Sequence, residues 1–213
     1  MYHPESIKIY NKLNEEIESL VGHTMFTLGG ISLEVEGKDG LGGLIEEWFG
    51  MWAFQHDFII INPKKEAGSQ EFPDYYVGDN KGLLEIKAFN YDAGANFDLA
   101  NFESYCETAA HMPERTDSDY LIFGYRLIGS VLKIEKIWLK KIWEITCPSE
   151  RWPLKTQTKR NVIYNIRPAS WDSTSSRYKT FEAKECFINA LYETQAQYKG
   201  QSDKDIYLRN KKD

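Results

Sequence analysis

The sequence predicts an α/β fold with a mixed central β-sheet flanked by helices. Three observations predict it. Candidate elements follow one another as helix, strands, helix, strands, helix. The candidate strands are short, apolar and bounded by turns rich in Gly, Asn and Asp. No internal repeat, low-complexity tract or linker interrupts the chain, so residues 1–213 read as a single domain.

Taken in order, residues 4–21 place Ile7, Tyr10, Leu13, Ile17 and Leu20 at helical spacing among Glu, Lys and Asn. That predicts an amphipathic helix with those five on its buried stripe. Residues 24–36 read as two short strands around Gly29-Gly30. A glycine-rich entry leads into a helix at 42–54, whose apolar face would hold Leu44, Ile45, Trp48, Phe49 and Trp52. Residues 57–62 suit a strand or an extended lead-in, and a polar loop follows at 63–72. Strands are expected at 74–77 and 83–89, joined by the turn GDNKG. A helix is expected at 98–111, with Asn96 or Asp98 as its cap if the stretch before it does not contact substrate. Two strands, 119–127 and 131–138, precede a short helix with Lys140, Lys141 and Trp143. A strand at 161–167, a Ser/Thr-rich loop and a helix at 180–198 complete the fold, and the polar tail is expected to fray.

The composition narrows the function. Hydrophobic residues make up 42% and charged residues 27%, which supports a packed core. The formal net charge is −6, so bulk positive charge does not drive binding to nucleic acid. Cys106, Cys147 and Cys186 are far apart and odd in number, which points away from a zinc site or disulfide framework and towards a reducing cytoplasm. Neither a signal peptide nor a membrane span is expected. Four scattered histidines lack ligand spacing, and there is no P-loop.

The stretch EFPDYYVGDNKGLLEIKAFN carries the chemistry. Asp74 opens one strand, while Glu85 and Lys87 lie two apart on the next and so share a face. A hairpin would bring all three together. Two carboxylates suit Mg²⁺, which binds oxygen ligands and keeps waters for a substrate phosphate. A neighbouring lysine can orient or help deprotonate a water and stabilise transition-state charge. Against this stands a solvated strand face; charges set among Leu83, Leu84, Ile86, Ala88 and Phe89 are costly unless exposed or partnered.

Pro73-Asp74, ten intervening residues and then Glu85-Ile86-Lys87 resemble the motif of the PD-(D/E)XK nuclease superfamily. The resemblance implies a restriction-endonuclease-like core over about 40–138. It implies metal held by Asp74, Glu85 and the backbone carbonyl of Ile86, with Lys87 positioning the attacking water. The segment from Gly40 to Glu47 is similar to the helix that supplies a further acid, a role carried to Glu46 with Glu47 as the alternative. The runs LEIKAFN, NFDLANF and NVIYNIRPASW are similar to NgoBV/NlaIV-like type II restriction enzymes. The resemblance thus implies Mg²⁺-dependent cutting of double-stranded DNA to 5′-phosphate ends. It also implies a homodimer acting on a palindrome, and a cognate methyltransferase that protects the host. A repair nickase or resolvase, and a non-catalytic DNA-binding module on the same fold, remain the alternatives.

DNA would be held by residues 151–179. Arg151, Lys155, Lys159, Arg160, Arg167, Arg177 and Lys179 face a single acid there, Asp172, for a local net of +6. If extended, Lys155, Gln157 and Lys159 share a face, and these residue types read base edges. An ordinary basic surface is the alternative. After the catalytic strand, Asn90, Asn96 and Asn101 interleave with Phe89, Tyr91, Phe97 and Phe102. Asn90 and Asn96 are candidate DNA contacts there, against helix capping and aromatic packing.

Overall fold

The structure, a computed structural model, describes residues 1–37, 39–64, 72–173 and 176–210, with backbone alone for 201–210. In chain order the elements are α1 (Pro4–Glu15), β1 (Val21–His23), β2 (Met25–Leu28), β3 (Ile31–Glu34), α2 (Leu41–Gln55), β4 (Ile60–Ile61), β5 (Tyr75–Val77), β6 (Gly82–Asn90), β7 (Ala100–Asn101), α3 (Phe102–His111), β8 (Asp119–Ile128), β9 (Val131–Lys141), β10 (Thr156–Lys159), β11 (Val162–Ile166) and α4 (Lys184–Asn210). They fall into two compact units. One is Met1–Phe97 with Asp117–Lys141; the other is Asp98–Thr116 with Ile142–Asp213.

The first unit is built on a six-stranded sheet of order β1-β9-β8-β6-β5-β4. The sheet is mixed, as expected: β6 runs parallel to β8, and the other neighbours are antiparallel. A parallel pair needs a long crossover, which residues 91–118 supply. Side-chain alternation along β6 sends Leu84 and Ile86 into a core with Ile45, Phe49 and Trp52 of α2 and Ile9 and Leu13 of α1. Glu85 and Lys87 take the opposite face.

Two helical faces differ from expectation. On α1 the buried residues are Glu5, Ser6, Ile9 and Leu13, while Ile7 is exposed. Glu5 turns inward because its carboxylate accepts the N–H of Ile59 at 3.3 Å and pairs with Lys8 at 3.0 Å. Leu13 is buried and Tyr10, Ile17 and Leu20 pack against the core as expected, so of the five only Ile7 leaves the stripe. On α2, Leu44 is 63% exposed, and Leu41, Ile45, Phe49, Trp52 and Ala53 form the inner face. Gly40 at φ 80° makes the left-handed entry to this helix.

Lys140 and Lys141 do not lie on a helix. They end β9, where the buried Lys141 pairs with Asp119 at 2.6 Å across the β8–β9 ladder. Of the expected short helix, residues 142–144 form one 3₁₀ turn. The strands expected around Gly29-Gly30 form an isolated hairpin, β2–β3, with every residue exposed.

The second unit holds α3, α4 and a three-stranded sheet of order β10-β11-β7. Asn101, rather than Asn96 or Asp98, caps α3: its side chain accepts the N–H of Ser104 at 3.0 Å. Tyr105 and Phe102 of α3 and Phe187 of α4 are fully buried. The helix expected at 180–198 begins at Lys184 and runs to Asn210, so the backbone of the tail expected to fray is helical to that point.

Candidate active site

The site is assembled where β5 stops pairing with β6. The register aligns Tyr75 with Leu84, and its continuation would set Asp74 opposite Glu85. Pro73 lacks an N–H and cannot extend the ladder. The carboxylate of Asp74 takes over the vacated edge of β6: its Oδ2 accepts the N–H of Ile86 at 2.8 Å. The acid expected to hold metal is therefore attached to the backbone between Glu85 and Lys87.

Glu85 and Lys87 project together, and Lys87 Nζ donates to Glu85 Oε1 at 2.8 Å. Their side chains are only 13% and 18% exposed, which argues against an ordinary solvated face. Burial opposes the charge of Lys87. Glu85, Asp74 and Glu46 outweigh that opposition and hold its pKa above the usual lysine range. The lysine is an ammonium group, able to donate hydrogen bonds and offset negative charge.

Glu46 joins the cluster from α2, whereas Glu47 is exposed. Tyr75 places this turn of the helix: its hydroxyl donates to the backbone carbonyl of Glu46 at 3.0 Å. Burial, followed by the charges of Glu46 and Glu47, pushes the Tyr75 phenol up to about 12, so it stays a donor. Gly50, one helical turn on, allows this approach. A Cβ there would lie 2.5 Å from the Tyr75 hydroxyl oxygen.

Lys64 was not singled out by the sequence. Its Nζ lies 2.6 Å from Glu46 Oε1 and 2.7 Å from Asp74 Oδ1. Burial opposes its charge, yet the two carboxylates hold its pKa well above the ordinary value. The cue available in the sequence was a lysine ten residues before Asp74, inside a polar loop and next to a second lysine. Most of that loop, 65–71, lies outside the described residues.

A divalent ion fits these donors. Asp74, Glu85 and Glu46 are hard oxygen ligands, and an ammonium already stands between two of them. Among the described residues, no three His, Cys, Asp or Glu side chains are grouped so as to hold a metal ion by themselves. A separate apolar groove of about 590 Å³, lined by Leu20, Met25, Phe26, Leu44 and Trp48 among others, contains none of the three motif residues.

The candidate DNA contacts divide by their partners. Lys155 Nζ donates to the Pro168 carbonyl at 2.8 Å, and Gln157 Oε1 accepts from Asn165 at 3.1 Å. Arg167 pairs with Asp98, and Arg177 pairs with Glu150. A register shift between Gln157 and Thr158 interrupts the alternation expected from Lys155 to Lys159. Lys159, Arg160 and Lys179 are exposed. Arg160 and Asn161, at φ 49° and 65°, form the tight turn of the β10–β11 hairpin. Asn90 accepts the N–H of Asp92 at 3.2 Å, and Asn96 is exposed. The aromatics flanking them pack on rings: Phe89 stacks on Phe97 and Trp138 with centroids 5.7 and 5.5 Å apart.

Comparison with known proteins places this geometry in context. A family model described as NgoBV restriction endonuclease matches residues 4–211. The chain is 37% identical over 195 residues to the type II restriction enzyme NlaIV of Neisseria lactamica, an alignment covering 88% of this chain and 79% of that one. It is 32% identical over 167 residues to the type II restriction enzyme NgoBV of Neisseria gonorrhoeae, covering 72% and 89%. A solved structure of NlaIV restriction endonuclease matches with a TM-score of 0.80 at 35% identity, covering 89% of this chain and 78% of that one. The expected α/β restriction-endonuclease fold is borne out.

Proposed function

Since the chain belongs to the NgoBV restriction endonuclease family, we propose that it cuts double-stranded DNA as a type II restriction endonuclease through Asp74, Glu85 and Lys87, with Glu46 as the fourth member of the site. The observation that carries this reading is the bond from Ile86 N–H to Asp74, which ties the first acid to the strand bearing the other two residues.

Asp74, Glu85 and the Ile86 carbonyl would hold the divalent ion, which we take to be Mg²⁺. Bound there, the ion supplies Lewis-acid polarisation of the scissile phosphate and activation of the attacking water. Lys87 donates to that water or to a phosphate oxygen and offsets charge as the in-line displacement proceeds, leaving a 5′ phosphate. Glu46 adds a carboxylate from α2 that can orient a further water.

The basic segment at 151–179 holds the DNA. Lys159, Arg160 and Lys179 make phosphate contacts, while Lys155 and Arg167 shape the segment through their internal partners. Gln157, Arg177, Asn90 and Asn96 are the remaining candidate contacts. The family match spans both units, which supports one endonuclease domain.

One site per chain and two strands to cut imply a homodimer. An apolar surface supports it: Met25, Phe26, Leu28, Ile31 and Leu33 of the β2–β3 hairpin are each at least half exposed. A cognate methyltransferase follows from the same biology. No helix among the described residues is long and apolar enough to cross a membrane, and three free cysteines fit a reducing cytoplasm. Digestion of plasmid DNA with Mg²⁺, followed by sequencing of the ends, tests the reading. Discrete fragments with 5′ phosphates are expected; binding without cleavage in any divalent metal would refute it.

A further inference from the structure

We propose that Lys64 is a resident cation at the metal position: its ammonium joins Glu46 to Asp74 in the metal-free chain, and a divalent ion must displace it to bind. The inference rests on the reading of Asp74 as a metal ligand. The Nζ–oxygen distances of 2.6 and 2.7 Å are those of charge-assisted hydrogen bonds. Asp74 has two oxygens, and Oδ2 is engaged by the N–H of Ile86. Oδ1, the oxygen not tied to the backbone, is the one that Lys64 holds. A divalent ion that would be held through Asp74 Oδ1 competes with the Lys64 ammonium for that oxygen.

Charge explains why a cation stands there. Asp74, Glu46 and Glu85 oppose Lys64 and Lys87, leaving one negative charge. Without Lys64 the acids would repel each other, a repulsion that either the ammonium or a divalent ion relieves. When a divalent ion takes its place, the three acids are balanced by the ion and Lys87. The ammonium then lies beside the site, free to meet a phosphate. Lysine suits this exchange, because a compact charge on a flexible stem can withdraw where a bidentate guanidinium would not. The backbone need not move: Lys64 N–H is anchored by Asn62 Oδ1 at 2.9 Å.

The test is calorimetric titration of the DNA-free protein with Mn²⁺. If Lys64 holds these oxygens in most molecules, Lys64→Met binds Mn²⁺ about tenfold more tightly than wild type, and Lys64→Arg binds no more tightly than wild type. Unchanged or weaker binding by Lys64→Met overturns the proposal. Acetylation mapping of the wild-type protein provides a second readout that needs no variant. Lys64 should become more reactive when Ca²⁺ is added while Lys8 does not, and an unchanged Lys64 counts against the proposal. Asp74→Asn separates the two readings. If it retains wild-type Mn²⁺ binding, the metal assignment itself fails. If it loses binding while Lys64→Met gains none, only the role of Lys64 fails.

Discussion

Asp74 Oδ2 and the main-chain N–H of Ile86 are 2.8 Å apart, so a side chain completes the hydrogen bonding of the strand that carries Glu85 and Lys87. One bond serves stability and function together. It satisfies a buried donor left unpaired by the ladder, and it fixes the direction in which the other carboxylate oxygen points.

Substitutions at Asp74 should separate those two contributions. Asp74→Asn retains an acceptor for Ile86 N–H but loses the charge, and cleavage should fall at least about 100-fold with the fold intact. Asp74→Ala also orphans the buried N–H, adding about 1–3 kcal/mol of destabilisation. Urea melts and cleavage rates of both proteins make the comparison. Equal stability of the two would contradict the role given to the bond.

Lys87→Met should cut more slowly by about 10²–10³-fold, because it removes a donor aimed at developing charge. DNA affinity, measured by fluorescence anisotropy in Ca²⁺, should change little. A large loss of affinity with the rate intact would reassign Lys87 to binding.

Gly50 and Tyr75 form a coupled pair. Gly50→Ala places a methyl 2.5 Å from the Tyr75 hydroxyl oxygen, which should cost about 1–3 kcal/mol. Tyr75→Phe loses a hydrogen bond to the Glu46 carbonyl, worth about 1 kcal/mol. In the double variant the clash is largely relieved, so the losses should be markedly less than additive. Additive losses in denaturant melts would show that the contact is not the cause.

The basic segment predicts unequal effects. Lys159→Ala and Arg160→Ala should weaken binding to all sequences and each lower the salt slope by about 1. Lys155→Ala removes a bond to the Pro168 carbonyl and should act chiefly on stability. Equal loss of affinity at all three positions would show that Lys155 also contacts DNA.

The cysteines should differ in reactivity. Burial pushes the Cys106 thiol up to about 11 and raises that of Cys147 as well, whereas Cys186 is exposed. At about pH 8, a thiol reagent should label Cys186 quickly and the other two only on unfolding. Rapid labelling of Cys106 in the native protein would contradict its burial.

The amino-acid sequence by itself determined the local facts. The two-residue spacing placed Glu85 and Lys87 on one face, and the Gly-led run marked α2. Each follows from backbone periodicity or from one residue's own geometry. Tertiary structure decided everything that depends on a distant partner. It turned Glu5 inward against Ile59, moved the cap of α3 to Asn101, placed Lys141 in a buried pair with Asp119 and set Lys64 between Glu46 and Asp74. Charge is read from sequence as a sum, but its effect depends on which opposite charge lies within a few ångströms, and long-range folding sets that distance.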